Sequence, residues 1–118
     1  MFLHAQRVAE KSAHKTKHGA VITRGGRSVL SSACNSYKPH PTWGSGPYQS
    51  LHAEAAAIRN AVAKGCNLKG ATIFVVRMQQ GVPTMSRPCP DCLKKIKEAG
   101  ITTVVYSDAS GNPVKERV

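Results

Sequence analysis

Apolar residues recur at helical spacing over residues 2–17. Phe2, Leu3, Ala5, Val8, Ala9 and Ala13 are the apolar positions, and Arg7, Lys11 and Lys15 fall four apart on a basic face. The pattern predicts an amphipathic helix. The period then changes. Gly19-Ala20-Val21-Ile22-Thr23 predicts a strand, Arg24-Gly25-Gly26-Arg27 a turn, and residues 28–34 a returning strand, because Gly-Gly between apolar runs is a hairpin signal. Residues 36–50 keep no period. Their proline and glycine exclude a helix or a central strand and predict one long loop. An alanine-rich run from Ala55 to Ala63, stopped at Gly65, predicts a helix. Residues 70–77 predict a third strand, nearly continuous in apolar residues and so covered on both faces. Residues 78–87 predict a connecting loop. Leu93, Ile96 and Ala99, stopped at Gly100, predict a short helix. Residues 101–106 predict a fourth strand and residues 113–118 a short fifth. The turn between those two is too short for a crossover helix, so the fifth strand must run antiparallel to the fourth.

A chain of 118 residues has room for one domain with one sheet and a few helices, and residues 1–118 are expected to form it. An apolar fraction of 41% is enough for a core. No apolar run approaches the roughly 18 residues of a membrane span. Met1-Phe2-Leu3-His4 has no basic stretch ahead of an apolar block, so no secretory signal is expected. Charge changes the picture more. Seventeen Lys and Arg face six Asp and Glu, a formal charge of +11. Such a bias favours anionic partners, either nucleotide phosphate or nucleic acid. The basic residues are spread along the chain, so a merely solvated surface is the alternative.

Two short pieces carry the chemistry: His52-Ala53-Glu54 and Pro88-Cys89-Pro90-Asp91-Cys92. Each opens a predicted helix. Pro90 fits just inside a helix start, where a missing N–H costs nothing. Cys89 and Cys92 lie three apart and share one face of a first turn. With His52 they make three ligands for one metal ion. Two thiolates and one imidazole leave a fourth tetrahedral position open, as a catalytic zinc requires. Glu54, two residues from His52, is close enough to handle the protons of a water at that position. The C-x-x-C context argues for metal over disulfide and for a reducing, cytoplasmic compartment. Cys34 and Cys66 are left over and read as small buried hydrophobes. A structural zinc site is the alternative; it wants a fourth protein ligand, from His40, His18 or Cys66, and leaves Glu54 unexplained.

H-x-E followed by P-C-x-x-C is the signature of the zinc-dependent nucleobase deaminases. On these residues the chain resembles the cytidine and deoxycytidylate deaminase superfamily in its small single-domain form, from about Lys17 to Asp108. The resemblance implies an α/β, three-layer cytidine-deaminase-like fold, a mixed five-stranded sheet with helices on both faces. It implies one Zn2+ per chain on His52, Cys89 and Cys92, with Glu54 as the catalytic acid and base. It also implies hydrolytic deamination of a cytosine base in a nucleoside or nucleotide, and a homo-oligomer. For substrate contacts it points to Asn35, Ala53, Ser86, Arg87 and His18. Asn35 and His18 each have a purely structural reading as well, and the alternative for Arg87 is an exposed surface arginine. Trp43, in the long loop with two tyrosines, Lys38 and His40, is expected either to stack on a base or to cap the core edge. Two other functions remain open: deamination of cytosine or adenine in single-stranded DNA or RNA, and a non-catalytic nucleic-acid-binding module. The intact His52, Glu54, Cys89 and Cys92 set argues against the second of these.

Overall fold

The computed structural model describes residues 2–12, 17–25, 28–39 and 50–118. In chain order they form α1 (Phe2–Glu10), β1 (Lys17–Arg24), β2 (Ser28–Cys34), β3 (Ser36–Pro39), β4 (Ser50–Leu51), α2 (Ala53–Ala63), β5 (Thr72–Gln79), β6 (Val82–Thr84), α3 (Pro90–Glu98), β7 (Thr103–Ser107) and β8 (Pro113–Arg117). The main sheet has the order β2-β1-β5-β7-β8, with β6 attached to β5. The first hairpin is antiparallel, and β1 also runs antiparallel to β5. β5 and β7 are parallel, and α3 lies in the crossover that a parallel pair demands. β8 returns antiparallel to β7, the direction its short turn requires.

Helices cover both faces because β5 is apolar on both. Ile73 and Val75 join Ala53, Ala57, Ile58 and Ala61 of α2, and Ile96 of α3, in one core. Val76 and Met78, with Phe74 against them, join Ala5, Val8 and Ala9 of α1 in the other. The period of two along a strand divides the layers. Cys66 packs at the edge of the first core and Cys34 at the edge of the second, both half-buried.

α1 touches the sheet at a glycine. A Cβ on Gly19 would stand 2.5 Å from the Ala5 carbonyl oxygen and 2.5 Å from the Ala9 nitrogen. Both obstacles are backbone, so neither can swing aside. Gly19→Ala is expected to push α1 off the sheet and to cost about 1–3 kcal/mol. A urea titration reads this as a lower midpoint; an unmoved midpoint would refute the close approach.

Three expectations need correction. The first helix ends at Glu10 and does not run to residue 17. Lys11 N and Ser12 N donate to the carbonyls of Val8 and Ala9 in a tightened last turn. The Ser12 hydroxyl is committed to Asn35 Oδ1 at 2.6 Å, and Lys17 Nζ donates to the Glu10 and Ser12 carbonyls at 3.2 and 2.9 Å. A cation on the last carbonyls of a helix is a favourable stop. Ala13 and Lys15 lie outside the described residues. Second, residues 36–50 are not one loop: β3 and β4 pair antiparallel. Third, the connecting segment 78–87 contains β6. Its turn is Gln80-Gly81, with φ of 52° and 81°, the two positive values of a tight hairpin. Gln80 is an uncommon residue there, so the turn does not advertise itself.

Candidate metal centre

The sheet sets where α2 begins. Ala55 and Ala56 pack on Ala33 of β2, and the Ser31 hydroxyl donates to the Ala57 carbonyl at 2.8 Å. Ala33 pairs with Ala20, and Ala20 with Val75, the last residue of β5 that pairs with β7. α2 therefore starts over the carboxyl end of the parallel β5–β7 ladder, the end at which open α/β sheets bind ligands. His52 is its N-cap, with extended backbone at φ −73° and ψ 153°. Cys89 is the N-cap of α3, at φ −66° and ψ 162°, with Pro90 just inside the helix. Two helix starts meet at one point, so two positive helix ends face the cluster.

Across that point His52 Nδ1 lies 3.3 Å from Cys92 Sγ and 4.0 Å from Cys89 Sγ. All three ligand atoms fall within 4.8 Å of one another. A tetrahedral zinc with ordinary bond lengths sets nitrogen and sulfur about 3.5 Å apart, between the two observed distances. The donor set, one imidazole and two sulfurs, is that of an open zinc site. Cys92 is fully buried and Cys89 exposed, so the cluster has an inner wall and an outer one. No cysteine among the described residues is in a disulfide.

Glu54 stands in the first turn of α2, 4% exposed. Its Oε1 is buried and meets no hydrogen-bond partner among the described residues. Burial holds the carboxyl above its ordinary acidity range, against a hydrogen bond to its own backbone, the charge of His52 and a hydrogen bond with Cys92. Burial likewise pushes the Cys92 thiol up, and the nearby anions of Glu54 and Cys89 push the same way. Three groups that would be anionic crowd together, Glu54 and Cys92 buried and Cys89 at the surface, and a divalent cation placed there inverts that balance. The residues present thus fit a zinc ion, with Glu54 beside the ligands and not among them.

The remaining predicted contacts are distributed unevenly. Ala53 is buried, between His52 and Glu54. Asn35 turns inward: its Oδ1 accepts from the Ser12 hydroxyl and from the His18 N–H at 3.0 Å, which pins α1 to the first hairpin. His18 lies opposite Arg77 in the ladder. Arg87 donates twice to Glu116 of β8, Nε at 3.2 Å and Nη2 at 3.0 Å. Trp43 lies outside the described residues.

Ser86 is buried, and its hydroxyl works inside the protein. It donates to the Val75 carbonyl at 2.8 Å and accepts from Ser107 N at 2.7 Å. The parallel ladder ends one step earlier, at Val75 opposite Tyr106. The hydroxyl therefore adds a side-chain rung where β5 and β7 separate, three residues ahead of Cys89. Ser107, whose own hydroxyl meets Ser86 Oγ and the Thr84 carbonyl, belongs to the same support. Nothing in a strand-end serine signals that role in sequence. Ser86→Ala would leave the Val75 carbonyl and the Ser107 N–H unpaired, at about 1–3 kcal/mol. A thermal melt that does not fall would show the rung to be dispensable.

A mixed sheet layered between helices, with one histidine and two cysteines on two facing helix starts, defines a zinc-binding deaminase domain. The chain belongs to the family described as the cytidine and deoxycytidylate deaminase zinc-binding region, whose model matches residues 1–108. Among curated relatives, the deoxycytidylate deaminases of Enterobacteria phages T2 and T4 are each 39% identical over 69 residues. The match covers 58% of this chain and 31% and 30% of those two proteins, so it spans about a third of their length. The crystal structure of the dCMP deaminase of cyanophage S-TIM5 superposes with a TM-score of 0.68 at 25% identity, covering 91% of this chain and 79% of that one. A diaminohydroxyphosphoribosylaminopyrimidine deaminase/5-amino-6-(5-phosphoribosylamino)uracil reductase from Thermotoga maritima gives 0.57 at 29% identity, over 93% of this chain and 30% of that one. Among the described residues, no helix is long and apolar enough to cross a membrane.

Proposed function

We propose that the chain deaminates a cytosine base in a nucleoside or nucleotide by zinc-dependent hydrolysis, releasing ammonia. One observation carries this: Glu54 Oε1, buried and without a hydrogen-bond partner among the described residues, stands beside the His52, Cys89 and Cys92 cluster. A structural zinc site has no use for that carboxyl. The relatives point the same way, and the cyanophage dCMP deaminase has been solved in complex with dCMP and dUMP.

His52, Cys89 and Cys92 would hold the metal. When bound there, zinc supplies the Lewis acidity that makes water a nucleophile near neutral pH. Glu54 takes the proton of the attacking water on its free Oε1. It delivers that proton to the ring nitrogen of the base, then takes the second proton of the former water and passes it to the amine, which leaves as ammonia while the carbonyl forms. Water and ammonia are poor partners at neutral pH, and such a shuttle contributes about 10²–10⁴ in rate. Ala53, buried between ligand and acid, keeps the helix start close to the base.

A second reading, deamination of cytosine or adenine in single-stranded DNA or RNA, is favoured by the net charge of +11. The chain acts as a single domain over residues 1–118, and the sheet that joins most of its described elements supports this. The groove lined by Ile58, Val62, Lys95, Glu98 and Ala99, with Val62 half exposed, supports assembly with copies of itself. Free thiols at the site suit a cytoplasmic setting.

Incubation with cytidine, deoxycytidine, their monophosphates, adenosine, guanine and single-stranded oligonucleotides tests the reading. Mass spectrometry reads the one-dalton gain, roughly, of amine-to-oxygen exchange. Turnover of a cytosine nucleoside or nucleotide is expected, with little response to salt. Turnover confined to oligonucleotides and falling steeply with salt would transfer the function to the second reading. Absence of any gain would leave only a zinc-binding module.

A further inference from the structure

Two arginines lie on the stretch of chain that leads to Cys89, Arg77 near the end of β5 and Arg87 two residues before that cysteine, and their surroundings differ. Arg87 is half exposed and satisfied by Glu116. Arg77 lies in β5, opposite His18 of β1 on one side and Thr84 of β6 on the other. Side chains alternate along a strand, so Arg77 shares a face with Ile73 and Val75. That is the face on which Ala53 and Ala57 of α2 pack. Arg77 follows Val75 by two positions, toward the end of the sheet where α2 starts, and His52 directly precedes Ala53.

Arg77 Nε is buried and has no hydrogen-bond partner among the described residues. A guanidinium donor taken out of water without an acceptor is costly, so such groups are rarely left alone. Glu54 Oε1, on the same side of the sheet, is in the same condition. Arg77 Nε, on a half-buried side chain, and Glu54 Oε1 share the metal-site face, each buried and each without a hydrogen-bond partner among the described residues.

Resting on the deaminase reading, we propose that Arg77 holds the phosphate of a mononucleotide substrate and so makes the site prefer nucleotide to nucleoside. A guanidinium offers planar, charge-assisted donors that match phosphate oxygens. Its place in the central strand fixes it more firmly than a loop would. Arg87, its donors already spent on Glu116, is the weaker candidate for the same task.

Binding tests this without turnover. Zinc-loaded protein is titrated calorimetrically with dUMP, with deoxyuridine and with a short oligodeoxycytidylate. The unaltered chain binds dUMP more tightly than deoxyuridine by roughly ten- to a hundredfold, the range of a charged hydrogen bond. Arg77→Met removes that preference and leaves deoxyuridine affinity in place; Arg77→Lys keeps part of it. Should Arg77→Met fail to fold, Arg77→Gln, with a similar reach and no charge, reads the same preference. An unaltered preference in the variant, an equal loss for both ligands, or no dUMP binding by the unaltered chain overturns the inference. So does Arg77-dependent binding of the oligonucleotide alone, which would assign the phosphate to a polymer. A chain that binds dUMP through Arg77 but releases no ammonia from dCMP sinks the deaminase reading and leaves the phosphate site standing.

Discussion

Glu54→Gln keeps one zinc per chain and releases ammonia about 10²–10⁴ times more slowly than the unaltered protein. The substitution preserves the shape and hydrogen-bonding reach of a side chain that is 4% exposed, so the packing of α2 has no reason to change. It removes only the capacity to take up and return a proton. The metal stays because the ligand atoms belong to His52, Cys89 and Cys92, which converge without Glu54. Oε1 meets nothing else in the described protein, so no second group takes over the shuttle through it. Zinc content by plasma mass spectrometry and ammonia release in the same preparation separate the two roles. A variant that loses its zinc would make Glu54 a ligand; one that keeps full turnover would remove it from the chemistry.

Much of this centre can be read in the sequence, for a physical reason. Metal ligands on two helix starts need fixed local spacing, and the stop signals of those helices, Gly65 and Gly100, are strong. Both take left-handed backbone, at φ 76° and 92°, as glycine readily does. The strands of the main path are legible too: β1, β2, β5 and β7 from apolar residues set between turn signals, and β8 from the turn residues ahead of it. What the sequence hides is long-range. Asn35 looks like a substrate contact or a structural residue. Only the fold shows that Ser12 and His18, from two other elements, converge on its Oδ1. The true end of α1 is hidden for the same reason, since Lys17 and Asn35 reach it from beyond the helix. Ser86 is a third case. Nothing around it in the chain reveals that β7 ends beside it and needs a hydroxyl. Arg77 reads as the last residue of an apolar strand, and its buried nitrogen emerges only once both neighbouring strands are in place.

Cys92→Ala is expected to abolish stoichiometric zinc binding and, with it, the response of the fold to zinc. Cys92 is the innermost ligand: its side chain is fully buried, and its sulfur lies 3.3 Å from His52 Nδ1. It also sits one turn before Ile96, which anchors α3 in the core. The truncation therefore has two effects that must be told apart. Loss of a small buried side chain lowers stability by a modest amount whether or not metal is present. Loss of a ligand removes a linkage, since an ion that binds the folded state alone stabilises it by about 2.7 kcal/mol at a hundredfold excess over Kd. Melting each protein with added zinc and again with a chelator resolves them. The unaltered chain should melt at a higher temperature with zinc than with chelator, while Cys92→Ala should melt at one lowered temperature in both. Cys66→Ala, at the edge of the same core but away from the cluster, should keep the zinc response. If Cys92→Ala still binds one zinc, or if the unaltered chain melts alike in zinc and chelator, then the three converging ligand atoms do not form a metal centre.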